Sequence, residues 1–176
     1  SKSLGNGIDP LDMIKKFGAD AVRLSLVIGT TPGNDIRLYE EKIAGYRNFV
    51  NKVWNIARFV LMAKQSASSK LQLKIQNFSL ADHWILWGLG ELIKRVNRNL
   101  EHFRFSAAGE DMYEFIWHKF ADVYIEETKQ QKLEHQQEIL EYVLEKCLIL
   151  LHPFVPFVTE CIWQQVKFQI PSTTSQ

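Results

Sequence analysis

The sequence has few of the residues that interrupt helices or cross-link chains. Its 176 residues include five prolines and nine glycines, which leaves room for long uninterrupted helices. The two cysteines, Cys147 and Cys161, are too few for a disulfide framework or a four-ligand zinc site, so a cytoplasmic location is the default expectation. No apolar run approaches the roughly 20 residues of a membrane-spanning helix, so no membrane partner is expected. The first ten residues also lack the basic flank and apolar stretch of a secretory signal.

Signatures of independent catalysis are missing as well. The five histidines are scattered, and none lies at a metal-ligand spacing to another histidine or to a cysteine. No nucleophile elbow supports a hydrolytic triad, and residues 29–33 are too short and lack the lysine of a phosphate-cradling loop. The sequence therefore predicts no metal site, no cofactor within this chain and no catalytic activity of its own.

What the chain does contain is enough apolar surface for one core and an uneven distribution of charge. Hydrophobic residues make up 46% of the chain and charged residues 23%. Residues 1–107 hold 16 lysines and arginines against 9 acidic residues, whereas residues 108–176 hold 5 against 11. The basic half suits an anionic partner, although a run of charge is more often a solvated face.

The start of the chain predicts a small module of mixed structure. Asp9, which precedes a proline, is typical of a helix start, and Gly18 is typical of a helix end. Asp20 can cap a second helix, although residues 22–28 would also suit a buried strand. Residues 36–39 are predicted as a brief strand after a segment dense in turn-forming residues.

The rest of the chain predicts an antiparallel bundle of about five helices. Apolar residues recur there at helical spacing, and the connections between most segments are short. The predicted segments are residues 40–64, 79–103 capped by Ser79, 106–125 capped by Ser106, 132–151 and 157–168. The expected fold class is therefore mainly α, with a small mixed module followed by the bundle.

The first bundle helix carries a candidate binding face. At about 100° per residue, Phe59 points about 155° away from the centre of the predicted buried stripe. Asn48, Lys52 and Asn55 share its side of the helix. A ring beside a cation suits unpaired nucleobases, because stacking contributes about 1 to 3 kcal/mol per base and lysine neutralises phosphate. The alternative is that Phe59 packs on a neighbouring element.

Further cations and aromatic residues lie on the bundle helices. Arg47 and Arg58 extend the positive charge of the first helix, and Lys94, Arg95 and Arg98 form a cluster on the next. Part of this charge is ordinary surface. The five tryptophans fall within apolar periodic patterns, so core packing is predicted for Trp54, Trp84, Trp87, Trp117 and Trp163.

The first residues have chemistry that suits a polyphosphate. Lys2 lies between two serines and is followed by Gly5 and Gly7, so its ammonium could offset phosphate charge on a mobile loop. The alternative is a flexible terminus without function.

Three blocks of residues carry a family resemblance. Ser1-Lys2-Ser3 with Leu4-Gly5-Asn6 is similar to the end and continuation of the KMSKS signature. Two further blocks complete the pattern. The second block is Gly45-Tyr46-Arg47-Asn48-Phe49, with Asn51-Lys52, Trp54-Asn55 and Arg58-Phe59-Val60-Leu61-Met62. The third block is Leu151-His152-Pro153, with Pro156-Phe157, Thr159-Glu160 and Trp163. The chain thus resembles class Ia aminoacyl-tRNA synthetases, most closely their valyl branch, over about residues 1–167.

The resemblance implies a division of the chain and a set of ligands. Residues 1–39 would be the remnant of the KMSKS loop with a stem-contact module, residues 40–170 the anticodon-binding domain and residues 171–176 a polar tail. In the intact enzyme Lys2 would have the catalytic role of contacting the ATP phosphates, with Ser1 and Ser3 also at the ATP. The intact enzyme would use ATP with magnesium and valine. The residues that would bind tRNA(Val) are Lys52, Phe59, Arg47, Asn55 and Arg58.

The resemblance also limits what this chain is expected to do alone. The nucleotide-binding domain, the editing domain and the C-terminal coiled coil of the valyl branch are not in this sequence. We therefore expect a piece of a longer enzyme that binds tRNA and does not aminoacylate by itself. The alternatives are the isoleucyl branch, or a helical protein-interaction module that uses an acidic ridge of Glu134, Glu138, Glu141 and Glu145.

Overall fold

A computed structural model of the chain describes residues 8–30, 33, 38–64, 78–131 and 134–169. Every regular element within these ranges is a helix, so the expectation of a mainly α fold is confirmed. The helices are α1 (Pro10–Phe17), α2 (Ala19–Val27), α3 (Glu40–Lys64), α4 (Leu80–Glu101), α5 (Phe105–Glu114), a π-helical segment (Phe115–Ile125), α6 (Glu126–Gln131), α7 (Glu134–Leu151) and α8 (Pro156–Gln169).

The start and end of α1 follow directly from the sequence. The Asp9 side chain accepts a hydrogen bond from the Leu11 amide at 2.8 Å, and a proline occupies the first helical position. Gly18 ends the helix at a φ of 89°, where a side chain would be strained, and its amide donates to the Ile14 carbonyl at 2.9 Å. Both predictions for this helix are confirmed.

The start of the chain lacks the predicted strand character wherever it is described. Residues 22–28 fall largely within α2 rather than a strand, because Ala21, Leu24 and Ile28 are buried at helical spacing. Of the predicted strand over residues 36–39, the first two lie outside the described residues and the last two are irregular. The mixed module is therefore helical in its described part.

Two predicted caps bind other parts of the chain. Asp20 accepts hydrogen bonds from two amides at the start of α8, and Gly18 precedes α2 without a side-chain cap. Ser106 lies inside α5, where its hydroxyl accepts from the Gly29 amide at 2.8 Å and donates to Glu110 at 2.9 Å. The two short polar side chains therefore tie α2 and its following turn to the bundle.

The bundle helices match most of the predicted bounds. The structure confirms α3 over residues 40–64, and Ser79 caps α4 by a capping box with Asp82. The predicted third helix is longer than expected, because α5, the π-helical segment and α6 are continuous. The start predicted for α7 at residue 132 lies outside the described residues.

One main core joins the bundle. Phe49 of α3, Ile85 of α4, Phe120 of the π-helical segment and Val143 of α7 are all at most 1% exposed. A smaller cluster joins α1 and α2 to α3. Gly109 is required where α2 ends, since a Cβ there would lie 2.6 Å from an Ile28 side-chain carbon. Across the described ranges, no helix combines the length and apolar character needed to span a bilayer.

The prediction that all five tryptophans pack in the core is wrong for α4. Trp87 is 69% exposed and Trp84 is 38% exposed, because both lie on the side of α4 that faces away from the bundle. Trp54, Trp117 and Trp163 are partly buried and pack against the main core, as predicted.

Candidate nucleic-acid interface

The outer face of α3 is polar and basic along most of its length. Between residues 47 and 58, the exposed residues of α3 are Arg47, Asn48, Asn51, Asn55 and Arg58. The opposite side of the helix is buried against the core, so these five side chains project into solvent. Within the described part of the chain, neither arginine has an ion pair or a side-chain hydrogen bond. Two guanidinium groups and three amides are therefore available to a ligand.

Lys52 lies at the edge of this face and is already engaged. Its Nζ donates to Asp122 Oδ1 at 2.8 Å, and 32% of its side chain is exposed. The same Nζ is 5.5 Å from the centroid of the Trp117 ring. His118 Nδ1 lies 3.5 Å from the other oxygen of Asp122. The lysine is thus held by the π-helical segment, and its role in binding tRNA stays a prediction.

Phe59 lies at the same edge, one turn beyond Asn55. Its ring is half-buried and packs against the main core. Lys129 of α6 places its Nζ 5.5 Å from the ring centroid and also pairs with Glu126 at 2.6 Å. The structure supports the alternative that the ring packs on a neighbouring element, and the expectation that it points away from the core is corrected.

The correction has a simple geometric cause. Ile56 is 5% exposed, and its burial moves the centre of the buried stripe toward Phe59. At about 100° per residue, Phe59 lies about 130° from the centre of the residues of α3 that the structure buries, which are Ile43, Phe49, Val53, Ile56, Ala57, Val60 and Leu61. The long helix of residues 105–131 packs along this side of α3. Both Lys52 and Phe59 therefore lie at the boundary between the open face and that helix.

A stack of aromatic rings lies on the core side of the boundary formed by Lys52 and Phe59. Phe49 and Tyr113 stack with centroids 4.8 Å apart, and Tyr113 stacks on Trp117 at 5.5 Å. Phe49 is 1% exposed, so the stack is anchored in the core. It holds the Trp117 ring under the ammonium of Lys52 and limits how far that side chain can move.

The remaining predicted site residues fall into two groups. Ser1, Lys2 and Ser3, predicted at the ATP, lie outside the described residues. In the cluster on α4, Lys94 pairs with Glu91 at 2.8 Å and Arg95 pairs with Asp111 at 3.0 Å. These two cations are neutralised locally and contribute less to the field than the sequence suggests.

A separate pocket of about 560 Å³ opens where α2 ends beside α3 and α5. Burial lowers the pKa of Lys42 at its wall. Burial, with Glu110 nearby, raises the pKa of Tyr46. The remaining charged side chains of the lining are carboxylates: Glu41, Glu110 and Glu114. This pocket therefore does not suit phosphate, and it is distinct from the open face of α3. In the described ranges, no three His, Cys, Asp or Glu residues are grouped to hold a metal ion.

The acidic ridge predicted on α7 is largely occupied by its own neighbours. Glu138, Glu141 and Glu145 are half-buried, and the side chain of Glu134 lies outside the described residues. Glu141 accepts a hydrogen bond from Gln137 at 2.9 Å, and Glu145 pairs with the adjacent lysine at 2.7 Å. The described part of the ridge does not present the free row of carboxylates that a protein-interaction module would need.

Three residues of the α3 boundary were missed by sequence reasoning. Asp122 pairs with Lys52, and Lys129 covers the ring of Phe59. Asn51 joins Asn48 and Asn55 in a row of exposed amides. The helical spacing of Asn48, Asn51 and Asn55 would have revealed the amide row. The other two contacts join residues 70 positions apart and have no local signal.

Comparison with known families decides what this bundle is. The family model of the anticodon-binding domain of tRNA ligases matches residues 82–176. The chain belongs to this family. A second model, of class I tRNA synthetases specific for isoleucine, leucine, methionine or valine, matches residues 1–39.

Two curated relatives show that the chain is similar to valine–tRNA ligases. It is 44% identical to the valine–tRNA ligase of Oceanobacillus iheyensis over 181 aligned residues, covering 99% of this chain and 20% of that protein. It is 45% identical to the valine–tRNA ligase of Carboxydothermus hydrogenoformans, covering 96% of this chain and 20% of that protein. The resemblance to the valyl branch is confirmed, and the chain spans about a fifth of the length of these relatives.

A solved structure shows the same fold. LeuRS of Agrobacterium radiobacter K84, in a ternary complex with tRNA and LeuAMS, superposes with a TM-score of 0.74 at 28% identity. The match covers 93% of this chain and 20% of the LeuRS chain. The helical bundle of an anticodon-binding domain is therefore confirmed.

Proposed function

We propose that this chain binds tRNA(Val) as the anticodon-binding part of a valine–tRNA ligase. The observation that carries the proposal is the outer face of α3, where Arg47 and Arg58 lack partners in the described structure and flank three exposed asparagines. Guanidinium groups bind phosphate, and amides can donate to and accept from base edges. The 44% identity to a valine–tRNA ligase supports this choice of tRNA.

The boundary residues would act by exchanging partners. A phosphate that reaches Lys52 would compete with Asp122 for the ammonium, and a base that stacks on Phe59 would displace Lys129 from the ring. Both exchanges replace an existing contact, so each gains less than an uncompensated contact would. We therefore assign the larger share of the affinity to the open face and the smaller share to Lys52 and Phe59.

The proposal includes the activity of the intact enzyme. A full-length valine–tRNA ligase would activate valine with ATP and magnesium and transfer it to tRNA(Val). Lys2, with Ser1 and Ser3, would contact the ATP phosphates there, as the resemblance to the KMSKS signature implies. Because the proposed partner is tRNA, we expect the protein to act in the cytoplasm.

The test measures binding of fluorescently labelled tRNA(Val) to the chain by anisotropy over a range of salt concentrations. The double variant Arg47→Ala with Arg58→Ala should weaken binding and lower the slope of log affinity against log salt by about 1 for each phosphate that is no longer neutralised. The matched control is Lys146→Ala, which removes a cation on α7, outside the α3 face and outside residues 1–39. Equal affinities and slopes for the double variant and the control would contradict the proposal.

A further inference from the structure

The face of α4 that points away from the bundle carries exposed aromatic residues and cations in one line. Six residues lie within about 40° of one line along the helix at 100° per residue: Leu80, Trp84, Trp87, Glu91, Lys94 and Arg98. Trp87 is 69% exposed and Leu80 is 88% exposed. From Trp84 to Arg98 the line is about 21 Å long at 1.5 Å per residue.

This line lies opposite the buried side of the helix. Ile85, Leu89, Leu92 and Val96 are at most 2% exposed and face the core. Trp87, at 69% exposed, is therefore not needed for the packing of α4. Exposed indole rings in line with one another are uncommon on a surface that binds nothing.

The cations in the line differ in how they are engaged. Lys94 shares its charge with Glu91, and 71% of its side chain is exposed. Arg98 is exposed and has no ion pair or side-chain hydrogen bond within the described ranges. An exposed guanidinium, whose nearest opposite charge on the line is Glu91, thus lies about 16 Å along the helix axis from Trp87, at 1.5 Å per residue.

The turn after α4 continues the same pattern. Phe103 has a φ of 56°, a left-handed conformation that bulky residues rarely adopt, and its ring is 77% exposed. Hydrogen bonds from the amides of Phe103 and Arg104 to carbonyls of α4, at 3.0 and 2.8 Å, hold the turn. Phe105 is 47% exposed with its ring centroid 6.1 Å from that of Phe103, and the exposed Arg104 lies between them in sequence. The strained turn therefore presents a ring and a cation to solvent.

We propose that Trp84, Trp87, Lys94, Arg98 and Phe103, here called the α4 track, form a second RNA-contact surface that takes unpaired bases and their phosphates. The proposal rests on tRNA binding as the function of the chain. Aromatic rings stack on bases of any sequence, and the cations neutralise the connecting phosphates. Charge complementarity favours RNA over a protein partner, because Lys94, Arg98 and the adjacent exposed Arg104 outnumber Glu91, the one carboxylate on the line, and because lysine is depleted at protein interfaces.

The test uses the whole chain and labelled tRNA(Val) at several salt concentrations. Trp87→Ala should weaken binding at least about fivefold, and Trp87→Phe should restore most of the affinity because it keeps a ring. Arg98→Ala should weaken binding and lower the salt slope by about 1. The matched control for the ring is Phe157→Ala on α8, since that side chain is 63% exposed and lies outside the track.

The outcomes separate this proposal from the function on which it rests. If Trp87→Ala and Arg98→Ala bind tRNA like Phe157→Ala while the Arg47 and Arg58 double variant loses affinity, the α4 track is overturned and tRNA binding stands. If all variants bind alike, both proposals are overturned. If Trp87→Ala leaves tRNA binding unchanged but reduces self-association in light scattering, the face is a protein contact, and the RNA assignment is overturned.

Discussion

The carboxylate of Asp20 accepts the backbone amide of Val158 at 2.7 Å, joining residues 138 positions apart. Its other oxygen accepts the Phe157 amide at 3.3 Å, so α2 supplies the cap for the start of α8. One turn along α2, the Arg23 guanidinium donates to the carbonyls of Phe154 and Pro153 at 3.1 and 3.0 Å. The corner between α7 and α8 is thus held by two side chains of opposite charge, which fixes the start of the chain against the bundle.

Removing the cap should destabilise the fold. Asp20→Ala leaves amides at the start of α8 without a partner, and we expect a loss of about 1 to 3 kcal/mol in the free energy of unfolding in urea. The control is Asp12→Ala on α1, whose side chain is 66% exposed. A midpoint for Asp20→Ala equal to that of the control would show that this corner contributes nothing to stability.

A buried hydrogen bond in the core should matter in the same measurement. Tyr124 donates to Asp82 Oδ1 at 2.7 Å, and both residues are fully buried. Tyr124→Phe removes the donor but keeps the ring, so we expect a loss of about 1 to 3 kcal/mol with tRNA affinity unchanged. Tyr142→Phe, at an exposed position on α7, is the control and should change neither quantity. If the free energy of unfolding of Tyr124→Phe equals that of the wild type, the hydrogen bond between Tyr124 and Asp82 does not stabilise the fold.

Stability should also fall at alkaline pH. Burial and the hydrogen bond to Asp82 raise the pKa of Tyr124 far above its usual value. The folded state therefore holds this proton more tightly than the unfolded state, and the contribution is present below about pH 10 and is lost as the pH rises further. The difference between wild type and Tyr124→Phe, measured by urea unfolding from pH 8 to 11, should shrink above about pH 10. A constant difference over that range would contradict the assigned cause.

Freeing Lys52 should strengthen tRNA binding. Asp122→Asn removes the carboxylate that pairs with Lys52 at 2.8 Å and also removes a negative charge from the edge of the α3 face. We expect the affinity for tRNA(Val) to rise about two- to fivefold at low salt, and less at high salt. Glu160→Gln, at an exposed position on α8, controls for the change in net charge. A weaker affinity for Asp122→Asn would indicate that the carboxylate orients Lys52 and does not compete for it.

The sequence predicts the helices well and the contacts between them poorly. The bounds of α3 were predictable because its apolar residues keep a helical period over 25 residues without proline. The π-helical character of residues 115–125 was not predictable, because their apolar residues are spaced like those of an α-helix. Ser106 is a residue type that favours helix caps, yet its hydroxyl accepts from the amide of Gly29, 77 residues away. Local rules identify capping residues but not the helix or turn that they serve.

The candidate site shows the same division. The exposed Arg47, Asn55 and Arg58 follow from helical periodicity alone. The contacts of Lys52 with Asp122 and of Phe59 with Lys129 do not follow from periodicity, since Asp122 and Lys129 belong to a helix far along the chain. The exposure of Trp87 was also missed, because an apolar residue in an amphipathic pattern is normally counted as core.

The most direct test of the central claim compares two RNAs and two proteins. Labelled tRNA(Val) and the same tRNA with its anticodon-loop nucleotides replaced are titrated with the chain and with Asn55→Ala combined with Phe59→Ala, all at one salt concentration. We predict that the chain binds the native loop about tenfold more tightly, a difference of about 1.4 kcal/mol, and that the double variant loses most of this preference. Equal binding of both RNAs by the unaltered chain would contradict recognition of the anticodon loop by α3.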